Sequence, residues 1–248
     1  MNLSSKVRII VILLSLTPLT GCKKDHLFDC FKSTGKSITE SRPVGAFEEI
    51  NLTDNVDLVF RPATEYSITV TAGDNLIDGI ITELDGNTLY IRNENRCNWM
   101  RSFSNKYTVE VSMPVLNRIY YDGSGDITFA DTLRNDNFLF DCFNGSGTIN
   151  FLFNNPSIHL NNHIGRTDMH IKGYSGDTKI YVNDVGTFEG DDFLTPVAYV
   201  RNRSTGNCRI RVTGELSYEI LHTGNIYYSG NPAIVYQSVT GSGKLIPY

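Results

Sequence analysis

Through the second half of the chain a glycine followed by an alternating polar-apolar strand recurs at nearly constant spacing. The starts are Gly125, Gly147, Thr167 in the place of a glycine, Gly186, Gly206, Gly224 and Gly243, with steps of 22, 20, 19, 20, 18 and 19 residues. A second register runs alongside, Phe140, Leu160, Ile180, Val200 and Ile220, spaced by 20 residues each time. Self-similarity at this period is the mark of a solenoid, whose coils cannot bury an apolar side alone and stack to make a continuous core. Alternate residues of a strand face one side, so two inward columns are expected. One contains Ile127, Ile149, Met169, Phe188, Cys208, Ile226 and Leu245, and the other starts at Phe140. The pattern predicts an all-β fold, a single-stranded right-handed parallel β-helix of about 20-residue coils over residues 116–248.

Before Leu116 the alternation is that of ordinary strands: 47–52, 56–60, 66–71, 80–84, 88–92 and 107–113. Asp85-Gly86 between two of them is a hairpin turn. Asp74 is placed to cap a short helical turn through Ile77, and Asn93 to Asn105, with Trp99, reads as a loop. Residues 44–115 are therefore expected to form a β region capping the solenoid, and the polar stretch 22–43 a tether.

The first 21 residues read as a secretion signal. Lys6 and Arg8 precede an apolar run, Ile9 to Leu16, that is too short to span a bilayer, and Leu19-Thr20-Gly21-Cys22 follows. That ending is similar to the bacterial lipobox, which implies cleavage before Cys22 and lipid attachment to it. Lys23 after the cysteine implies, by the sorting rule of enteric bacteria, the outer membrane, with the domain periplasmic or surface-exposed. A net charge of −5, a pI near 5.5 and the absence of a basic cluster beyond Lys23-Lys24 argue against nucleic acid as a partner. Among the other cysteines, Cys142 and Cys208 lie three coils apart, roughly 14 Å at about 4.8 Å per coil. That is beyond disulfide reach, and both read as small core-facing residues. Cys30 and Cys97 lie outside the repeat, where pairing and free thiols are both open.

Gly123-Ser124-Gly125-Asp126-Ile127, Gly145-Ser146-Gly147-Thr148-Ile149 and Gly241-Ser242-Gly243-Lys244-Leu245, with a Phe47-x-x-Ile50 strand and Met113-Pro114-x-Leu116, resemble the auto-transporter adhesin head domain called the GIN domain. The resemblance covers about residues 44–248. It implies a secreted or lipid-anchored Bacteroidetes-type protein with a β-helix-like fold and no established enzymatic activity, and it transfers no catalytic residue. The repeat drifts at Arg166-Thr167 and Val185-Gly186.

The Gly-x-Gly corners are not phosphate cradles, because no helix follows to supply an N-terminal dipole. The five histidines show no metal-ligand spacing, and Glu189-Gly190-Asp191-Asp192 lacks the spaced oxygens of a calcium loop and reads as a turn. No metal or cofactor is expected, and no Gly-x-Ser-x-Gly elbow occurs. Titratable groups of both signs meet on neighbouring coils only at Asp168, His170, Glu189 and Arg209. These read either as a ligand-binding patch or as an ordinary cross-strand charge ladder. Two function classes follow: a non-enzymatic envelope module binding a glycan or an envelope protein, and a polysaccharide-degrading enzyme by analogy with other β-helices.

Overall fold

The structure, a computed structural model, describes residues 33–96 and 106–248. Cys22, Cys30, Cys97 and Trp99 lie outside the described residues. The described chain is nearly all β, and its 17 strands form one mixed sheet. In order these are β1 (Ser37–Arg42), β2 (Glu49–Asp54), β3 (Asp57–Pro62), β4 (Ser67–Gly73), β5 (Ile80–Asp85), β6 (Thr88–Asn93), β7 (Thr108–Met113), β8 (Arg118–Gly123) and β9 (Ile127–Phe129). They continue as β10 (Asn137–Gly145), β11 (Thr148–Gly165), β12 (Asp168–Asp184), β13 (Thr187–Ser204), β14 (Cys208–Ile220), β15 (Ile226–Gly230), β16 (Ala233–Val239) and β17 (Leu245–Pro247).

The coils, about 20 residues each, stack into two parallel ladders. One runs β6, β2, β8, β10 and then through β11 to β14 to end at β16. The other runs β7, β3, β9, the opening halves of β11 to β14, then β15 and β17. The parallel stack therefore starts earlier than Leu116, because β2, β3, β6 and β7 have joined it. Three antiparallel strands close that end: β5 on β6, β4 on β7, and β1 on β4. The stretch expected to be only a tether thus contributes β1. Its Arg42 donates to the carbonyls of Ile77 at 3.0 Å and of Ile80, and to Thr82 Oγ1 at 3.1 Å. A single helical turn, Ile77–Gly79, follows β4. Asp74 does not cap it and instead accepts from the backbone N–H of Lys36 at 3.1 Å.

The inward column from Ile127 to Leu245 pairs residue by residue as its spacing requires, and it extends back to Leu58 and Val109. In the other ladder Phe140, Leu160, Ile180 and Val200 stack in register, but Val200 meets Tyr218 and not Ile220. The cause is a bulge. Residues 191–193 of β13 have no partners on β14, and at the next corner two residues of β14 face one of β13. The net offset is 3 − 1 = 2 residues, an even number, so Ile220 keeps its inward side and stays fully buried. A cluster of phenylalanines fills the middle, with Phe129 and Phe151 ring centroids 4.5 Å apart. Cys142 and Cys208 are both buried and unpaired. Burial pushes the Cys208 thiol well above its ordinary pKa.

The glycine corners have a steric reason that does not involve a left-handed backbone. Gly125, Gly147, Gly206, Gly224 and Gly243 all keep negative or extended φ. What each provides is space, since a Cβ would meet a backbone carbonyl oxygen of the neighbouring coil at 1.9–2.2 Å.

Candidate functional site

Most of the outward residues after the corners use their side chains to hold neighbouring coils together. Asp57 accepts from the N–H of Asp126, Asp126 from that of Thr148, Asn207 from that of Asn225, and Asn225 from that of Lys244, all at 2.8–2.9 Å. Thr187 Oγ1 donates to Asp168 at 2.7 Å. Asp168 is thus partly engaged by this column.

Two residues further along, His170, Glu189 and Arg209 sit in register on β12, β13 and β14. Asp168, His170 and Glu189 line an open groove of about 670 Å³, which Arg166, Lys172 and the Asp191–Asp192 bulge complete. Arg209 is not among the lining residues but holds two that are. Its Nε lies 3.5 Å from Glu189 but donates to both oxygens of Asp191, at 2.9 and 3.1 Å. Its guanidinium stacks 4.4 Å from the Tyr248 ring centroid and 5.4 Å from that of Tyr227. Tyr248 closes the arrangement by donating its hydroxyl to Asp191.

Protonation follows from these contacts. Burial raises the Glu189 pKa, and nearby Asp191 and Asp168 add to this while Arg209 opposes it. Burial also works against ionised Asp191, but the bonds from Tyr248 and Arg209 outweigh it and hold that carboxyl below the usual range. Asp191 is therefore the settled anion beside Arg209, and Glu189 is the groove carboxyl shifted toward its neutral form. The pair is half exposed, so its own contribution to stability is about 0–1 kcal/mol.

Sequence spacing brought the four candidates together and missed Asp191 and Tyr248. The signal for the first was the shortened step from Gly206 to Gly224 after the acidic run, the trace of a bulge. Tyr248 follows the last repeat and no periodicity reports it. A second concavity, about 610 Å³, runs along the glycine corners past Asp54, Asp122 and Asn144, and its carboxylates disfavour a phosphate. Among the described residues no group of three His, Cys, Asp or Glu is placed to hold a metal ion.

Residues 46–232 match the family described as "Putative auto-transporter adhesin, head GIN domain". The chain belongs to this family. Its fold is similar to that of a putative adhesin from Bacteroides fragilis, at TM-score 0.80 and 20% identity over 86% of this chain and 97% of that one. A putative adhesin from Parabacteroides distasonis aligns at TM-score 0.67 and 16% identity over 86% and 98%. A structure from the same species described as a putative lipid binding protein aligns at 0.66 and 17% over 87% and 98%. No curated protein matches the chain in sequence. These likenesses establish the GIN-domain solenoid. No helix among the described residues is long and apolar enough to cross a membrane.

Proposed function

We propose that this GIN-domain protein is a non-enzymatic, lipid-anchored adhesin-like module of the cell envelope. In this reading the β12–β14 face binds a polar ligand, a glycan or a segment of an envelope protein. The observation that carries it is the groove itself, where Asp168, His170, Glu189 and Lys172 gather donors and acceptors on the paired strands β12 and β13. Membership in a family described as adhesin heads supports the same reading. Replacing Asp168, His170, Glu189 and Arg209 together with Ser or Thr is expected to abolish binding to the ligand found in a glycan and envelope-protein screen. Stability should change by only about half a kcal/mol per site. A variant that binds as tightly as the wild type would show the four to be a charge ladder and nothing more.

One observation favours catalysis as the second reading: Glu189, a carboxyl pushed toward its neutral form, shares the groove with Asp168. Polysaccharide turnover that disappears in Glu189→Gln would replace the binding reading. The anchor is tested separately, because Cys22→Ser should move the protein from the membrane fraction to the soluble one. Equal membrane partitioning of variant and wild type would remove the lipobox from the proposal.

A further inference from the structure

Arg166 lines both the groove on β12 and β13 and the concavity along the glycine corners, so the two, about 670 and 610 Å³, meet at its side chain. The corners themselves form a continuous line. The N–H of Ser124 donates to the carbonyl of Asp54 at 2.7 Å, that of Ser146 to the carbonyl of Gly123 at 2.9 Å, and Gly145 pairs with Gly165. Gly165 and Arg166 lead into β12, whose Asp168 and His170 are in register with Thr187 and Glu189 of β13. From Asp54 to Glu189 the path takes four steps from coil to coil, roughly 19 Å at about 4.8 Å per step.

The walls of this path decide what can lie in it. The Asp191 bulge apart, every strand that it crosses is paired with a parallel neighbour on both sides, so no edge is open to an added peptide strand. The one apolar side chain on the walls, Ile171, is buried, which leaves no pocket for the apolar anchor that fixes a protein segment. Carboxylates, amides and hydroxyls dominate instead, and these accept from and donate to the hydroxyl groups of a ligand. Four carboxylates in the groove and two in the corner concavity outnumber the cations Arg166 and Lys172, so a polyanion is repelled. We infer that the groove and the corner concavity are two subsites of one track for a linear, non-anionic glycan lying along the stack of coils. Asp122, Asn144 and Ser146 form the second subsite. The inference rests on the reading of the groove as a binding site and adds its length and the class of its ligand. A chain long enough to reach both subsites makes its second set of contacts intramolecularly, so affinity climbs with chain length until the track is filled.

The test is calorimetric titration of the protein with neutral oligosaccharides of one to six units, built from glucose, mannose, galactose or N-acetylglucosamine. At least one series is expected to gain about tenfold or more in affinity between two and five units. Asn144→Gly combined with Ser146→Ala should remove that gain and leave the affinity for the short chains, set by the groove, within about twofold. Glycine accepts the φ of +61° at Asn144, and both side chains are exposed, so the thermal midpoint should move by only a few degrees. A gain with length that survives the double variant, or binding that is equally strong for short and long chains and is lost in Glu189→Gln, would overturn the second subsite while leaving the groove reading in place. No affinity for any series, or binding of an oligolysine peptide alone, would overturn the glycan.

Discussion

Leu160→Asp is expected to lower the thermal midpoint by roughly 6–30 °C. Leu160 is fully buried in the inward column between Phe140 and Ile180, with coils on both sides. Truncating a buried leucine costs about 2–5 kcal/mol through lost contacts and the cavity left behind. A carboxyl at that point has no partner and takes up a proton, which leaves an unpaired polar group costing about another 1–3 kcal/mol. At about 2–4 °C per kcal/mol for a chain of this size, the sum exceeds any change on the exposed face. In a stack stabilised by nearest-neighbour interfaces, a defect in a middle coil weakens both interfaces it shares. Asn150→Asp, on the exposed side of the same strand, is the matched control and should shift the midpoint by no more than a degree or two. Circular dichroism melting of the two variants reads the difference. A midpoint unchanged in Leu160→Asp would mean that the inward column is wrongly assigned.

The coil period and the column from Ile127 to Leu245 were legible because both are local properties: a two-residue alternation within a strand and a corner at the end of each. What escaped depended on partners distant in sequence. Alternation in 49–54 and 88–93 marks strands, but nothing local says that β6 lies parallel to β2 and takes the chain back over its first coil. The slip that sets Val200 against Tyr218 comes from three unpaired residues of the Asp191 bulge, which a count of 20 residues steps over. At the candidate site the columns placed Glu189 beside Arg209 correctly. The partner that captures the guanidinium, Asp191, leaves the column at that same bulge, and the ring covering it comes from the final residue, Tyr248. The bulge also divides the Arg209 guanidinium between Asp191, at 2.9 Å, and Glu189, at 3.5 Å, while Glu189 lines the groove.

Gly224→Ala is the substitution that separates a corner made for turning from one made for close approach. Gly224 does not occupy the left-handed region, so its φ alone would accept an alanine. Yet a Cβ there would lie 1.9 Å from the carbonyl oxygen of Gly206 in the preceding coil. That atom is backbone, and Gly206 in turn approaches the carbonyl of Gly186 at 2.2 Å from its own Cβ position, so relief at one coil is transmitted to the next. The expected cost is about 3 kcal/mol, the upper part of the range for overpacking, or roughly 6–12 °C in midpoint. Gly86 supplies the opposite case. Its φ of +59° is left-handed and a Cβ there meets nothing within 4 Å, so Gly86→Ala should cost only the conformational penalty of about 1–2 kcal/mol. If Gly224→Ala proves no more destabilising than Gly86→Ala, the glycine period serves chain turning. If it is clearly worse, the period exists because the backbones of successive coils touch at these corners.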